Sequence, residues 1–274
     1  MDPILLAAAG FDPTGAAGLL LDIRVFNAHG WTGMGLVTAV TAQNTLEVFE
    51  IQCTCPQSLK KQYVALRKDA AVSGIKIGML GCAEHLEVLE YIIDGLPHIP
   101  VVVDTVFRSG SGTPLFPEDK VGKFLKSFKG RAAVITPNLN EASMLAGYTV
   151  DSPASMKEAA EIIHGKTGAA CLLKGGHLLK KKIDILYDGE KLHSFPHPSI
   201  NKQVRGTGCY LSSTLLCLLS QGQPLLSAVD RSISLTLEAM ERAVKVRGDR
   251  HIMEWRSRTS GLTRPQTQAD AGEE

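Results

Sequence analysis

The sequence carries almost no excess charge of either sign. Its 29 basic and 28 acidic side chains leave a formal net charge of +1. A nucleic-acid backbone needs a basic surface, so that class of partner is set aside. The one basic run, Lys180-Lys181-Lys182, reads as a solvated loop. No apolar stretch approaches the roughly 20 residues that cross a bilayer, so no membrane partner is expected. Met1-Asp2-Pro3 leads straight into Ile4–Ala9, without a basic leader and with too short an apolar run for a signal peptide, so a cytoplasmic location is expected. Of the six cysteines, only Cys53-x-Cys55 are close in sequence, and no C-x-x-C pair occurs. Zinc ligation and a disulfide framework are therefore not expected. Most of the thiols read as small core residues, Cys209 apart. Also missing are G-x-x-x-x-G-K-[ST], a G-x-G-x-x-G after a strand, G-x-S-x-G and H-E-x-x-H. Their absence removes P-loop, dinucleotide-fold, elbow-hydrolase and zincin readings.

What is present is material for a core. Hydrophobic residues make up 44% and charged residues 21%, values of a globular chain. Strands are expected at Ile4–Ala9, Leu36–Val40, Val48–Ile51, Gly74–Met79, Val101–Val103, Ala133–Thr136 and Ala170–Lys174, reading as short apolar runs of the kind buried on both faces. Helices are expected at Gly18–Ala28, Leu59–Lys68, Glu84–Ile93, Asp119–Phe128 and Ser155–Thr167, then after Cys209 to Leu219 and over Leu225–Val244. Ile183–Tyr187 and Leu192–Phe195 flank Asp188-Gly189, a hairpin signal. The alternation predicts one α/β domain over 1–255, with a mostly parallel sheet and a small appended β-hairpin. The polar stretch 256–274 reads as a disordered tail. Ligands of such sheets sit beyond the carboxyl ends of the strands, so polar residues directly after strand runs are the candidates for chemistry.

Gly206-Thr207-Gly208-Cys209 stands just before an apolar helix. Glycines let the backbone approach a ligand, and free helix N–H groups with the macrodipole favour a phosphate or a developing oxyanion there. An ordinary glycine turn reads equally well from four residues. Cys209 at that helix start is placed to have a lowered thiol pKa and to accept a proton from a substrate hydroxyl. A lone cysteine is otherwise a buried small residue. Asp104 ends one strand run, and Asn138-x-x-Glu141 follows the next. Mg²⁺ needs only one or two carboxylates beside nucleotide phosphates, and Asp104 and Glu141 supply that number. Taken singly, Asp104 reads as a loop cap and Glu141 as a first-turn helix acid. Lys174, before Gly175-Gly176-His177, could meet nucleotide phosphates or simply begin a loop.

These motifs have a pattern in common. Ala8-Ala9-Gly10-Phe11-Asp12-Pro13-Thr14-Gly15-Ala16-Ala17-Gly18 resembles the N-terminal signature of hydroxymethylpyrimidine/phosphomethylpyrimidine kinases. So do Thr41–Thr45, Lys76–Leu80, Asp104-Thr105-Val106, Thr136–Ala142, Lys174–His177 and Gly206–Cys209, in the family's order and across residues 4–220. The resemblance implies a ribokinase-like three-layer α/β/α fold, ATP and Mg²⁺, a homodimer, and two successive phosphorylations of 4-amino-5-hydroxymethyl-2-methylpyrimidine in thiamine biosynthesis. It implies that Gln43 bonds the ring's amino edge and Met79 packs on the ring, with Gly10, Asp12 and Val106 around it. Cys209 would be the base at an anion hole that includes Gly206 and Gly208. Asn138, Lys174 and Thr207 would bind ATP, and Asp104 and Glu141 would lie near the metal.

The chain departs from the pattern at Ala16, at Phe107-Arg108-Ser109, at Arg205 where histidine is common, and at Arg247–His251. An arginine at 108 or 205 suits an already phosphorylated substrate, since guanidinium pairs well with phosphate. Two other functions fit the same residues: a pyridoxal or pyridoxine kinase, and a pyrimidine-binding module without catalysis.

Overall fold

A computed structural model describes residues 3–176, 178 and 182–253. His177, Lys180 and Lys181, and the expected tail over 256–274, lie outside the described residues. The chain runs β1 (Pro3–Phe11), α1 (Gly18–Ala28), β2 (Thr32–Gln43), β3 (Val48–Cys53), α2 (Pro56–Leu66), β4 (Ala71–Ile77), α3 (His85–Asp94) and β5 (Val101–Val103). After a short 3-10 turn follow α4 (Val121–Phe128), β6 (Val134–Ile135), α5 (Leu139–Ala146), α6 (Pro153–Thr167), β7 (Ala170–Leu173), β8 (Ile183–Tyr187) and β9 (Leu192–Pro196). The chain then gives β10 (Gln203–Arg205), α7 (Thr207–Ser220), α8 (Leu225–Glu241), β11 (Val244–Arg247) and β12 (Arg250–Ile252).

Side chains of a strand alternate between faces, and β1 shows what that does here. Leu6 and Ala8 enter a core built with α2 to α6, while Leu5, Ala7 and Ala9 enter a second core built with α1, α7 and α8. A strand apolar on both faces must be covered on both, and the result is three layers with the sheet in the middle. The sheet has nine strands in the order β3-β2-β1-β4-β5-β6-β7-β8-β9. Pairings from β2 through β7 are parallel, and β3, β8 and β9 join antiparallel.

The expected hairpin forms, but it is not an appendage. Its first strand pairs with β7 and extends the main sheet to its edge. The last helix stops at Glu241, short of Val244, because Val244–Arg247 pairs with β12 in a separate sheet of order β10-β12-β11. Short polar strands such as Gln203–Arg205 have no apolar run to reveal them. The thiols also divide differently from the expectation of core residues. Cys171 and Cys217 are buried, whereas Cys53 and Cys82 are half-buried and Cys55 is exposed.

One consequence of the strand order positions everything below. β1 has β2 on one side and β4 on the other, so the chain reverses direction across the sheet at that point. The two connections leave in opposite directions and open a crevice beyond the carboxyl ends of β1 and β4.

Candidate active site

That crevice is a cleft of about 750 Å³, within the range of ligand pockets. Every candidate residue of the sequence reading lines it, from Gly10 and Asp12 at the end of β1 to Cys209 at the start of α7.

The anion-binding end is built by the turn into α7. Gly206 caps the helix with φ of 81°, in the left-handed region. A Cβ there would lie 2.0 Å from the Ala16 carbonyl oxygen, so the main chains of the two loops touch. Only glycine satisfies both demands. Gly208 is required for space of another kind. A Cβ on it would stand 3.1 Å from Lys174 Nζ and 3.8 Å from Asp104 Oδ2. The first turn of α7 at Gly208 therefore lies beside a lysine–aspartate pair, with Lys174 Nζ donating to Asp104 Oδ1 at 2.9 Å. Thr136 Oγ1 donates to the same oxygen at 3.2 Å and Ser212 Oγ to the other at 3.3 Å. Burial works to raise the Asp104 pKa, but Lys174 and Lys76 prevail and hold it below the usual carboxylate value. Burial likewise works against the Lys174 ammonium, and Asp104 and Glu141 outweigh it and raise its pKa.

Asn138 and Glu141 are bound up with each other first. Asn138 Oδ1 accepts from the Glu141 amide at 3.0 Å, and Glu141 Oε2 accepts from the Asn138 amide at 2.8 Å, a capping box at the start of α5. Thr105 Oγ1 also donates to Glu141 Oε2, at 3.0 Å. Burial pushes the Glu141 pKa up to about 7, against the pull of Lys174 and with the help of Asp104.

The opposite end of the cleft is suited to a flat ring. Met79 is nearly buried and packs in a small cluster with Ala39 and Leu115, against which Val106 lies. Its sulfur lies 2.8 Å from where a Cβ on Gly10 would be, so Gly10 leaves room for the thioether. Gln43 ends β2, and its Oε1 accepts from Arg205 Nη2 at 2.5 Å. Arg205 Nη2 also stands 3.7 Å from Asp12 Oδ2. Asp12 is 2% exposed, its Oδ1 bonded to the Thr14 amide and hydroxyl. Asp12 Oδ2 and Arg205 Nε are buried without a hydrogen-bond partner, an uncommon state for buried polar atoms and one that a polar ligand would relieve. The Arg205 side chain thus reaches the ring end, not the anion end, and Arg108 is bonded to Glu118 and the Gly112 carbonyl. The arrangement gives no support to either arginine as a substrate-phosphate ligand.

Two readings change with the structure. The Cys209 thiol is not lowered by its helix position. Burial pushes its pKa up to about 11, helped by Asp104 and Asp22, and Lys76 with the Gly18 amide only partly offsets this. The second is an omission: Lys76 Nζ and Asp22 Oδ1 form an ion pair at 2.5 Å with both side chains fully buried, and Lys76 lines the cleft. A lysine inside a buried strand and an aspartate among Leu19, Val25 and Phe26 on the buried side of α1 are the signal that finds it in the sequence.

Comparison with known proteins fixes the family. The sequence model described as phosphomethylpyrimidine kinase matches residues 12–253. The chain belongs to the phosphomethylpyrimidine kinase family. It is 38% identical over 255 residues to a hydroxymethylpyrimidine/phosphomethylpyrimidine kinase of Aquifex aeolicus, covering 92% of this chain and all of that one. A kinase of the same description from Staphylococcus aureus is 33% identical, with 89% and 91% covered. Among solved structures, the phosphomethylpyrimidine kinase of Clostridium difficile matches with a TM-score of 0.74 and 31% identity, over 88% of this chain and all of that one. The pyridoxal kinase of Staphylococcus aureus in complex with pyridoxal gives a TM-score of 0.84 at 25% identity, covering 93% of each. The protein is therefore a phosphotransferase with the ribokinase-like fold, and the thirteen candidate positions line the cleft described above.

Proposed function

We propose that this kinase transfers the γ-phosphoryl group of ATP to the hydroxymethyl oxygen of 4-amino-5-hydroxymethyl-2-methylpyrimidine, and then a second group to the monophosphate so formed. The observation that carries the reading is the alignment of one cleft. A helix N-terminus lies beside the Lys174–Asp104 pair at one end, and an apolar, hydrogen-bonding ring seat lies at the other. An aromatic alcohol lying on Met79 would extend its arm toward the amides of Thr207, Gly208 and Cys209.

Those amides would hold the migrating phosphoryl oxygens, where preorganised donors stabilise charge that develops in the transition state. Lys174 would neutralise the nucleotide's terminal phosphates. As the substrate oxygen bonds the γ-phosphorus, the bond from that phosphorus to the β–γ bridging oxygen breaks and its electron pair leaves with ADP. The alcohol's proton goes to Cys209 Sγ, which must be the thiolate at that moment. Glu141 fits a divalent cation: burial has raised its pKa to about 7, and a cation beside it would favour the charged carboxylate. Asp104 fits less directly, since Lys174, Thr136 and Ser212 already engage its oxygens. Among the described residues no group of three His, Cys, Asp or Glu side chains converges on a metal position. Mg²⁺ keeps waters and needs one or two carboxylates, and it would be held by Glu141 and nucleotide phosphates while neutralising the latter.

One observation favours a second ring. With Arg205 already on Gln43 Oε1, the seat offers two donors, Gln43 Nε2 and the guanidinium, beside one unpartnered acceptor, Asp12 Oδ2. A pyridoxal-type ring, with acceptor oxygens at its edge, suits donors better than an aminopyrimidine does. Product analysis by mass spectrometry with ATP, Mg²⁺ and each alcohol separates the two. The pyrimidine monophosphate and diphosphate are the expected products. Turnover of pyridoxal alone would replace the first reading with the second, and tight ring binding without any phosphorylated product would indicate a binding module.

A further inference from the structure

The head of α7 is flanked by two lysine–aspartate pairs, and only one of them has a role above. Residues four apart lie on one helix face. On the Gly208–Ser212 face, Ser212 Oγ donates to Asp104, the partner of Lys174. On the Cys209–Ser213 face, Ser213 Oγ donates to Asp22 Oδ1 at 2.9 Å, and Asp22 is the partner of Lys76. The second pair therefore sits one helical turn beneath the Cys209 sulfur. Both its side chains are fully buried, and Asp22 Oδ2 has no hydrogen-bond partner.

Stability gives no reason for such a pair. Removing two charges from water costs several kcal/mol per ion, and apolar replacements of buried pairs are often neutral or stabilising. Yet Lys76 lines the cleft, and the Gly78 position that follows it places a would-be Cβ 3.8 Å from Nζ, so the ammonium stands against the floor of the site.

We propose that Lys76, anchored by Asp22, is a positioning residue for Cys209, its buried ammonium favouring the small thiolate fraction that accepts the substrate's proton. The inference rests on the reading of Cys209 as proton acceptor. The charged groups that act on the sulfur are Lys76, Asp104, Asp22 and Lys174. Lys76 is the foremost of those that favour the thiolate, and the two aspartates oppose it. Asp22 in turn keeps Lys76 charged: burial alone would lower the lysine's pKa, and the carboxylate raises it above the usual value. Ser213 then ties the pair to the helix that carries the thiol.

The test replaces the ion pair by neutral groups of similar size, Lys76→Met with Asp22→Asn, which keeps an acceptor for Ser213. Alkylation of Cys209 by iodoacetamide is followed across pH by mass spectrometry of its peptide, with exposed Cys55 as internal control. The parent's rate should climb with pH toward a midpoint near 11. The double variant should be at least about tenfold slower at Cys209 at pH 9, since thiolate is the reactive form, and unchanged at Cys55. The kcat should fall by a similar factor while KM moves little. An unchanged Cys209 profile, or an unchanged kcat, overturns the proposal. Should the double variant not fold, Asp22→Asn alone carries the test with the same sign: a fully buried lysine without its carboxylate loses its charge, so Cys209 must become less reactive at pH 9, and a faster or unchanged rate overturns the proposal. Failure of the parent to phosphorylate any ring alcohol would sink the kinase substrate reading instead and leaves the alkylation result to stand.

Discussion

Gly208→Ala separates the chemistry of the α7 turn from its stability. The added methyl would lie 3.1 Å from Lys174 Nζ and 3.8–3.9 Å from the Asp104 oxygens, with no main chain among its close neighbours. A flexible lysine can give the few tenths of an ångström required. Gly208 lies inside the first turn of α7, where alanine gains about 0.5–1 kcal/mol over glycine. The fold should therefore hold, with a melting temperature equal to or above the parent's. The methyl would nonetheless occupy the space beside Lys174 at the first turn of α7, where the phosphoryl group has to fit. Disturbing one oxyanion donor elsewhere costs about 10²–10³ in kcat, or roughly 2.7–4 kcal/mol, and a loss of that order is expected. Gly206→Ala is the contrast. Its methyl meets the Ala16 carbonyl at 2.0 Å, at a φ that side chains resist. A stability loss on the order of 2–4 kcal/mol, or about 5–15 °C in melting temperature, should accompany any loss of activity. Thermal melts and steady-state kinetics on both variants measure the two effects. A stable Gly208→Ala enzyme within about threefold of parental turnover would refute the seating of the phosphoryl group at this turn.

Three further outcomes are expected. Cys209→Ala should lower kcat by about 10²–10⁴, the usual range for a lost general base, with little change in KM; near-normal turnover would remove the thiol from the mechanism. Glu141 has a folded pKa of about 7, above its unfolded value, so the folded chain binds the proton more tightly and its stability falls as pH rises from about 5 to about 8. Glu141→Gln, which can still cap α5, should flatten that fall in thermal melts and lower activity at saturating Mg²⁺; an unaltered pH dependence of melting speaks against the raised carboxylate. Arg205→His frees Gln43 Oε1 from its guanidinium. It should raise kcat/KM for the aminopyrimidine relative to pyridoxal, and a ratio that does not move shows that Arg205 has no part in choosing the ring.

Features of the fold built on an apolar run or a turn dipeptide were legible in the sequence. The apolar run of β1, the Val101–Val103 strand and the Asp188-Gly189 turn all predict elements that form. β10, β11 and β12 were not, because three or four half-exposed residues bury too little to leave a pattern. The site was legible as position: polar residues after strand runs meet at the sheet's reversal point, as the topology requires. Its electrostatics were not. The helix position of Cys209 argues for a lowered pKa, and burial overrides it. Whether Arg205 reaches a phosphate or Gln43 depends on a side-chain direction that no spacing encodes. Asn138-x-x-Glu141 carried both of its meanings, and the capping box is the one the hydrogen bonds realise.

The central claim is that the amides of Thr207, Gly208 and Cys209 receive the phosphoryl group. A crystal structure of the enzyme with ADP, a metal fluoride and the hydroxymethylpyrimidine tests it most directly. The fluorides should stand about 2.7–3.1 Å from those amides, with Lys174 beside them and the ring on Met79. A metal fluoride bound out of reach of the α7 turn, with the ring alcohol still in place, would contradict the account.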